Sequence, residues 1–222
     1  LVLLREEGVP LTILGGGANV VVSDRGIRGV VLDTSGLDAL EYQDLETDSP
    51  DRAKLYLGAG LPIDRAVGDS ISRGYAGLEF LAGMPGSLGG AVWMNARCYG
   101  SSISDVLIGT RYLDEDGHPC YLPFAPADFS YKKSPFQGSS SFILGACFAL
   151  SKGEVGPLSL KASSHREDRR EKGHFRHPCA GSVFKNDHRF GKPSGMIIDE
   201  AGLRSLSVGE AQVAPWHGNI II

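Results

Sequence analysis

Cysteine is scarce in this chain: Cys98, Cys120, Cys147 and Cys179 lie far apart and form no CxxC pair. Scattered cysteines in a chain of this length argue against a disulfide framework and for buried thiols in a reducing compartment. Long apolar runs are missing too. None approaches the ~18 residues a membrane span needs, and the N-terminus carries no signal-peptide pattern. Positive charge is not in excess: 22 Lys and Arg against 26 Asp and Glu leave a net charge of −4. That balance gives no basic footprint for nucleic acid. A GxSxG elbow is absent, which disfavours a hydrolase of that type. The dinucleotide fingerprint GxGxxG fails, because Val20 stands where its third glycine belongs, and no Gly-Lys-Ser/Thr completes a P-loop. Repeats and low-complexity tracts are lacking as well.

Glycine, by contrast, is abundant at 30 of 222 residues, in a chain whose 42% hydrophobic content can build a core. One run, Gly77–Gly100 (GLEFLAGMPGSLGGAVWMNARCYG), is too glycine-rich for an ordinary core element and too apolar for a linker. Pro85-Gly86 sets a turn, and Ser87 is placed to N-cap a helix from Ser87 to Asn95. Two readings stay open. Gly83, Gly86, Gly89 and Gly90 line a helix N-terminus whose free N–H groups suit a phosphate, or the run is a tight apolar turn packed on a neighbouring helix. A second glycine cluster, Gly15-Gly16-Gly17-Ala18-Asn19, lies between apolar Leu11–Leu14 and Val20–Val22, both read as strands. It is either a turn where the backbone must approach a ligand or a plain hairpin.

Elsewhere the pattern predicts a helix end over Leu1–Glu7 with Gly8 as its C-cap, a turn at Asp24-Arg25-Gly26 and a strand at Val30–Leu32. The acidic stretch Asp38–Asp51 reads as a surface hairpin. A strand at Leu55–Leu57 precedes a helix over Leu61–Arg73, where Ile63, Ala66, Val67 and Ile71 share one face and Gly74 is the stop. Asp114–Gly117 is a hairpin turn between Thr110–Leu113 and a strand near Tyr121. Ser141–Leu150 is a strand, Leu158–Lys172 a helix, and His174–Pro178 a linker. Gly195–Ala201 is a helix stopped by Gly202. Gln212–Ile222 reads as a strand interrupted by Pro215, with the β-branched run Ile220–Ile222 at its end. A start at Leu1 and a stop within that run suggest trimming at both ends.

Few residues carry chemistry on their own. His174, His177 and Cys179 have H-x-x-H-x-C spacing, but a second ligand cluster is absent and His188 is only loosely placed, so no metal is expected. Ser182 sits in a Gly-Ser turn near Lys185 and Asn186, where a hydroxyl can hold a ligand, donate a proton or cap the turn. Lys132 and Lys133 are adjacent cations in the polar loop Phe129–Ser134, a pattern usually found on solvated surface.

In combination, these segments resemble a known family. LGGGAN at Leu14–Asn19, VSDRGIRGVV at Val22–Val31 and the Gly77–Gly100 run are similar to the UDP-N-acetylenolpyruvoylglucosamine reductases. FSYKKSPF at Phe129–Phe136, AGSVFKN at Ala180–Asn186 and the tail GLRSLSVGEAQVAPWHGNIII share the resemblance, in the family's order. The first two alone indicate only the wider FAD-binding fold of the vanillyl-alcohol-oxidase (PCMH) type. AGSVFKN and the GLRSL…HGN tail are the specific signal.

The resemblance implies an α+β chain: a two-subdomain FAD-binding fold over residues 1–75 and 76–165, then a partial substrate domain over 166–222. It implies noncovalent FAD, NADPH as reductant, and the enolpyruvyl ether of UDP-N-acetylglucosamine as a small-molecule substrate. The setting it implies is cytoplasmic peptidoglycan synthesis by a monomer that binds neither nucleic acid nor membrane. The loops matching the family's flavin contacts include Gly15, Gly16, Gly17, Ala18, Asn19, Gly83, Pro85, Gly86, Ser87, Gly89, Gly90, Asn95, Tyr99 and Gly100. Ser182 matches the proton donor and Lys132 the catalytic cation, while Tyr131, Lys185 and Asn186 match the substrate side. The missing UDP-tyrosine insertion suggests the shorter, type II form. Three departures stand out. Lys132 replaces an arginine, keeping the charge but losing the two-bond fork. Arg97 replaces a glycine beside the flavin loop and is expected to crowd it. The family's catalytic glutamate belongs to a segment after Ile222, so poor turnover is expected of residues 1–222 alone. Another FAD oxidoreductase of this fold, or a flavin-binding protein without turnover, is the competing reading.

Overall fold

The computed structural model describes residues 1–43 and 51–222. In chain order the elements are α1 (Val2–Glu6), β1 (Leu11–Leu14), β2 (Val30–Asp33), β3 (Leu40–Gln43), β4 (Arg52–Gly58), α2 (Ile63–Ser72), β5 (Tyr75–Ala76), α3 (Leu88–Trp93), β6 (Arg97–Cys98) and β7 (Ser101–Ser102). There follow β8 (Leu107–Leu113), β9 (Pro119–Pro123), β10 (Phe142–Lys152), α4 (Val155–Glu171), α5 (Ser194–Glu200), β11 (Ser207–Val208) and β12 (Ala211–Gln212). The fold is α+β. It separates into two compact units, one of residues 1–17 and 22–165, the other of Ala18–Val21 and Arg166–Ile222.

The first unit is built on a six-stranded sheet of order β3-β4-β10-β8-β9, with the short β5 paired to the end of β10. All these pairings are antiparallel. β10 is central because its run Phe142–Leu150 is apolar enough to be covered on both faces: Ala146, Phe148 and Leu150 are fully buried on one, and Cys147 on the other is 2% exposed. Leu55 and Leu57 of β4 lie in the same core. So do Ile63, Ala66, Val67 and Ile71 of α2, the face expected from their spacing. β1 and β2 form a separate parallel pair in register Leu11↔Val30 to Leu14↔Asp33. The β8–β9 hairpin closes at Asp114–Gly117, where the Asp114 carboxylate accepts the backbone N–H groups of Asp116 and His118. Those bonds, the His118 amide first, hold the Asp114 carboxyl below its ordinary range. The turn of the expected Asp38–Asp51 hairpin lies largely outside the described residues; its arms are β3 and β4.

Three expected elements differ. Val20–Val22 is irregular, and Val21 is 86% exposed, because Ala18–Val21 counts with the second unit rather than with the sheet. α3 is shorter than the expected Ser87–Asn95, ending at Trp93 because Asn95 is left-handed at φ 43°. Gln212–Ile222 is not one strand. Pro215 turns the chain, so Gln212 exchanges both backbone hydrogen bonds with Ile222 and the Ala214 N–H donates to the Ile220 carbonyl. Ile220 is thereby buried at 1% exposure.

Candidate functional site

In the first unit the two glycine clusters meet. The Gly16 N–H donates to Ser87 Oγ at 3.2 Å. A Cβ on Gly15 would stand 2.3 Å from that oxygen, and one on Gly16 would stand 2.6 Å from Gly86 Cα. Gly16 is required by backbone-on-backbone packing between the loops, while Gly15 faces the Ser87 side chain. Ser87 occupies the N-cap position of α3 but does not cap it; its hydroxyl serves Gly16 instead. The first N–H groups of α3 are not free for an anion either. Leu88 donates to the Leu61 carbonyl and Gly89 to the Ala59 carbonyl, both within hydrogen-bond reach, because α3 is docked end-on against the loop after β4. With these two N–H groups engaged, the start of α3 offers less to an anion than the helix-terminus reading expects.

The loop backbone is unusual where the expected site residues lie. Among the described residues, left-handed φ outside glycine occurs at Asn95, Tyr99, Lys132 and Ser205, and the first three are expected site residues. Such conformations cost of order 1–3 kcal/mol and cluster at ligand clamps. Gly17, Gly83, Gly86 and Gly100 are left-handed as well, and at Gly17 and Gly100 no atom lies within 4 Å of where a Cβ would be. The bare, open backbone at Gly17 and Gly100 fits the close approach of a ligand such as a flavin, whereas the Gly83 N–H donates to Asp64 Oδ1 at 2.9 Å and Gly86 packs against Gly16. Asn95, only 4% exposed, explains how the loops are tied. Its Nδ2 donates to the Ser130 carbonyl at 2.9 Å and its Oδ1 accepts the Ser104 N–H at 3.2 Å. Tyr99 stacks on His165 with ring centres 3.8 Å apart and donates its hydroxyl to the His165 carbonyl. Arg97 is exposed in β6 and is turned away from the core.

Tyr131 and Lys132 form the tip of a tight turn closed by mutual backbone hydrogen bonds between Ser130 and Lys133. Lys132 sits at the position where a type II turn prefers glycine, at φ 57°. Its carbonyl accepts Gln137 Nε2 at 3.0 Å, and Ser134 Oγ donates to the Trp93 carbonyl at 2.8 Å, which anchors the turn to the end of α3. Lys132 is half-buried and Lys133 exposed.

The second unit holds Ser182, Lys185 and Asn186 on one short segment that bends at Val183 and Phe184. Ser182 bridges Ile220. Asn186 Oδ1 accepts the N–H of Ser194, the first residue of α5, and Ser194 Oγ donates to the Lys185 carbonyl. Beside them is a cavity of about 290 Å³ lined by residues that include Ser182, Asn186, Asp199, Arg204, His217 and Asn219. Asp199 and Arg204 are paired with each other. Burial, helped by nearby positive charge, holds the His217 imidazole below its ordinary range, and its Nδ1 accepts the Asn219 N–H. His174 and His177 do not converge with Cys179. His174 faces His217 at 6.0 Å, and His177 stacks on Trp216 at 5.4 Å. Asp114, Asp116 and His118 are the described residues close enough to share an ion, on an exposed turn. Asn219, to which the sequence reading gave no role, is the buried hub of this unit; its only sequence signal is the HGN of the tail.

A family profile described as FAD binding domain matches residues 1–121, and one described as UDP-N-acetylenolpyruvoylglucosamine reductase, C-terminal domain, matches residues 173–222. The UDP-N-acetylenolpyruvoylglucosamine reductase of Treponema denticola is 40% identical, covering 100% of this chain and 72% of its own. That of Borreliella burgdorferi is 39% identical, covering 98% and 70%. The crystal structure of the Thermus caldophilus enzyme superposes with a TM-score of 0.77 at 27% identity, covering 99% of this chain and 77% of its own. Among the described residues no helix is long and apolar enough to cross a membrane. With its two matched profiles, its relatives and its fold in agreement, the chain belongs to the UDP-N-acetylenolpyruvoylglucosamine reductase family.

Proposed function

We propose that this chain reduces the enolpyruvyl ether of UDP-N-acetylglucosamine to UDP-N-acetylmuramate, with NADPH as reductant and noncovalent FAD, in peptidoglycan synthesis. The observation that carries the reading is 40% identity to a curated reductase over the whole chain. The cofactor, when bound, relays a hydride from NADPH to the terminal vinyl carbon of the substrate. The backbone of Gly15–Asn19 and of Gly83–Ser87 would hold the cofactor, and the left-handed turns at Asn95, Tyr99 and Gly100 would complete the loop edge.

The chain's own residues then manage charge and proton. Hydride addition at one carbon leaves negative charge at its neighbour and in the attached carboxylate. Lys132 offsets that charge, and the Ser182 hydroxyl delivers a proton to the carbon bearing it. Lys185, Asn186 and Tyr131 hold the rest of the substrate. Residues 1–75 and 76–165 carry the flavin and 166–222 carry the substrate side. The four cysteines form no disulfide, which suits a reducing, cytoplasmic setting.

The test is a visible spectrum followed by two half-reactions without oxygen. NADPH should bleach the bound flavin, and the enolpyruvyl substrate should restore its colour. A folded protein that stays colourless with FAD, or a reduced flavin that only oxygen reoxidises, overturns the reading.

A further inference from the structure

The segment that carries Ser182 is not held by its own neighbours. Ser182–Asn186 is exposed along its whole length and belongs to no named strand. Asn219, 35 residues from Phe184, holds its middle, while Ser182 bridges Ile220 and Lys185 and Asn186 are tied to Ser194. The Asn219 side chain brackets the backbone of one residue: its Oδ1 accepts the Phe184 N–H at 2.8 Å and its Nδ2 donates to the Phe184 carbonyl at 2.8 Å. Its backbone carbonyl accepts the Val183 N–H at 3.0 Å, and its own N–H donates to His217 Nδ1 at 3.1 Å. Every hydrogen-bonding group of this residue except one amide hydrogen and spare carbonyl lone pairs is thus used. The residue is 5% exposed. Gly218 lets the chain pack closely on α5, since a Cβ there would stand 2.4 Å from the Gly195 carbonyl.

We propose that Asn219 is a positioning residue for proton delivery, setting the place of Ser182 Oγ through the backbone of Val183 and Phe184. This rests on the reading of Ser182 as the proton donor. A side-chain amide is the one group of this size that can both accept the N–H and donate to the carbonyl of one residue, as another strand would. Asp keeps the acceptor but sets a carboxylate against the Phe184 carbonyl, and Ala removes both bonds. Because the hydroxyl must meet a carbon with sub-ångström tolerance, a shift of about 1 Å costs roughly 10²-fold in rate. Hydride uptake by the flavin does not involve Ser182 and is unaffected.

The experiment compares wild type, Ser182→Ala, Asn219→Ala, Asn219→Asp and the double variant Ser182→Ala/Asn219→Ala, all full-length and flavin-loaded. The expected result for Asn219→Ala is flavin bleaching by NADPH within twofold of wild type and reoxidation by the enolpyruvyl substrate slowed about 10²-fold. Asn219→Asp should fall in the same direction. The double variant should be no slower than Ser182→Ala, because the two residues act through one hydroxyl. Amide hydrogen exchange supplies a readout apart from turnover: peptides spanning residues 180–187 should lose protection in Asn219→Ala, while those of α5 keep theirs.

Several outcomes overturn the proposal. Equal slowing of both half-reactions, unchanged exchange over 180–187, or additive losses in the double variant each make Asn219 merely structural. If Asn219→Ala does not fold, Asn219→Asp carries the same comparison. A normal wild type with a normal Ser182→Ala removes the premise, and is told apart because it shows before Asn219 is touched.

Discussion

Gly16 and Ser87 are 71 residues apart, and the backbone N–H of one donates to the hydroxyl of the other at 3.2 Å. That bond joins the two glycine clusters into one surface. It also reverses what each residue is for: the serine that looks like a helix cap is a clasp between loops, and the glycine that looks like a ligand contact is first a packing contact.

Gly16→Ala should therefore weaken flavin binding without unfolding the protein. The added methyl would meet Gly86 Cα at 2.6 Å and the Ser87 nitrogen at 3.0 Å, so the loops must part. Overpacking of this kind costs about 1–3 kcal/mol, or about five- to 150-fold in FAD affinity if the loops are the binding surface. Ser87→Ala loses one hydrogen bond and should cost about 1 kcal/mol. A fluorescence titration with FAD measures both. Wild-type affinity in Gly16→Ala would mean that the flavin sits elsewhere.

Stability should fall as pH drops below about 6.5. Burial holds both His174 and His217 below their ordinary imidazole range, so each binds a proton less readily folded than unfolded. Between the folded and unfolded values the unfolded chain binds more protons, and stability rises with pH. The full contribution is present above the unfolded value and is lost on going below it. Thermal melting from pH 5 to pH 8 should show this slope, and His174→Phe with His217→Gln should flatten it. Lowered carboxyls such as Asp187 act in the same direction, but only below about pH 4. A melting temperature independent of pH in wild type would show that these imidazoles are not desolvated.

Most of the scaffold was legible because its signals are local. The buried face of α2, the Asp114–Gly117 hairpin and the apolar run of β10 follow from spacing, turn chemistry and hydrophobicity over a few residues. What could not be read is set by pairing across long separations. The sequence places Val20–Val22 among strand formers, but no partner strand takes it up. Ser87 carries a capping residue's chemistry, yet Gly16 claims it. The tail was readable as a family signature and not as geometry. Pro215 marks a break, and only the Gln212–Ile222 and Ala214–Ile220 bonds say that the chain doubles back there. Asn219 had no signal beyond its motif, because its partner Phe184 is 35 residues away.

Ser182→Ala should separate the half-reactions. Reduction of the flavin by NADPH should be nearly intact, and reoxidation by the enolpyruvyl substrate should slow by the ~10²–10⁴-fold typical of a lost general acid. Stability should change by no more than about 1 kcal/mol, since the hydroxyl lies on an exposed segment. Stopped-flow absorbance follows both steps. Equal slowing of the two would make Ser182 a structural residue.

Lys132 allows charge and conformation to be pulled apart. It holds φ 57° at a turn position that glycine fills without strain. If the residue were there for the turn alone, Lys132→Gly would be neutral for turnover. If it is there for its cation, Lys132→Gly should be more stable than wild type by about 1 kcal/mol and still reoxidise slowly. Lys132→Ala should be equally slow and no more stable, because alanine keeps the left-handed penalty. Lys132→Arg should preserve or raise activity, since the guanidinium fork grips a carboxylate with two bonds. None of the three should change FAD affinity. Lys133, exposed one residue on, is the control: a comparable loss in Lys133→Ala would mean that the other cation faces the substrate. Melting temperature against reoxidation rate across these variants is the measurement. A Lys132→Gly protein that is both more stable and fully active would leave the lysine without a catalytic role.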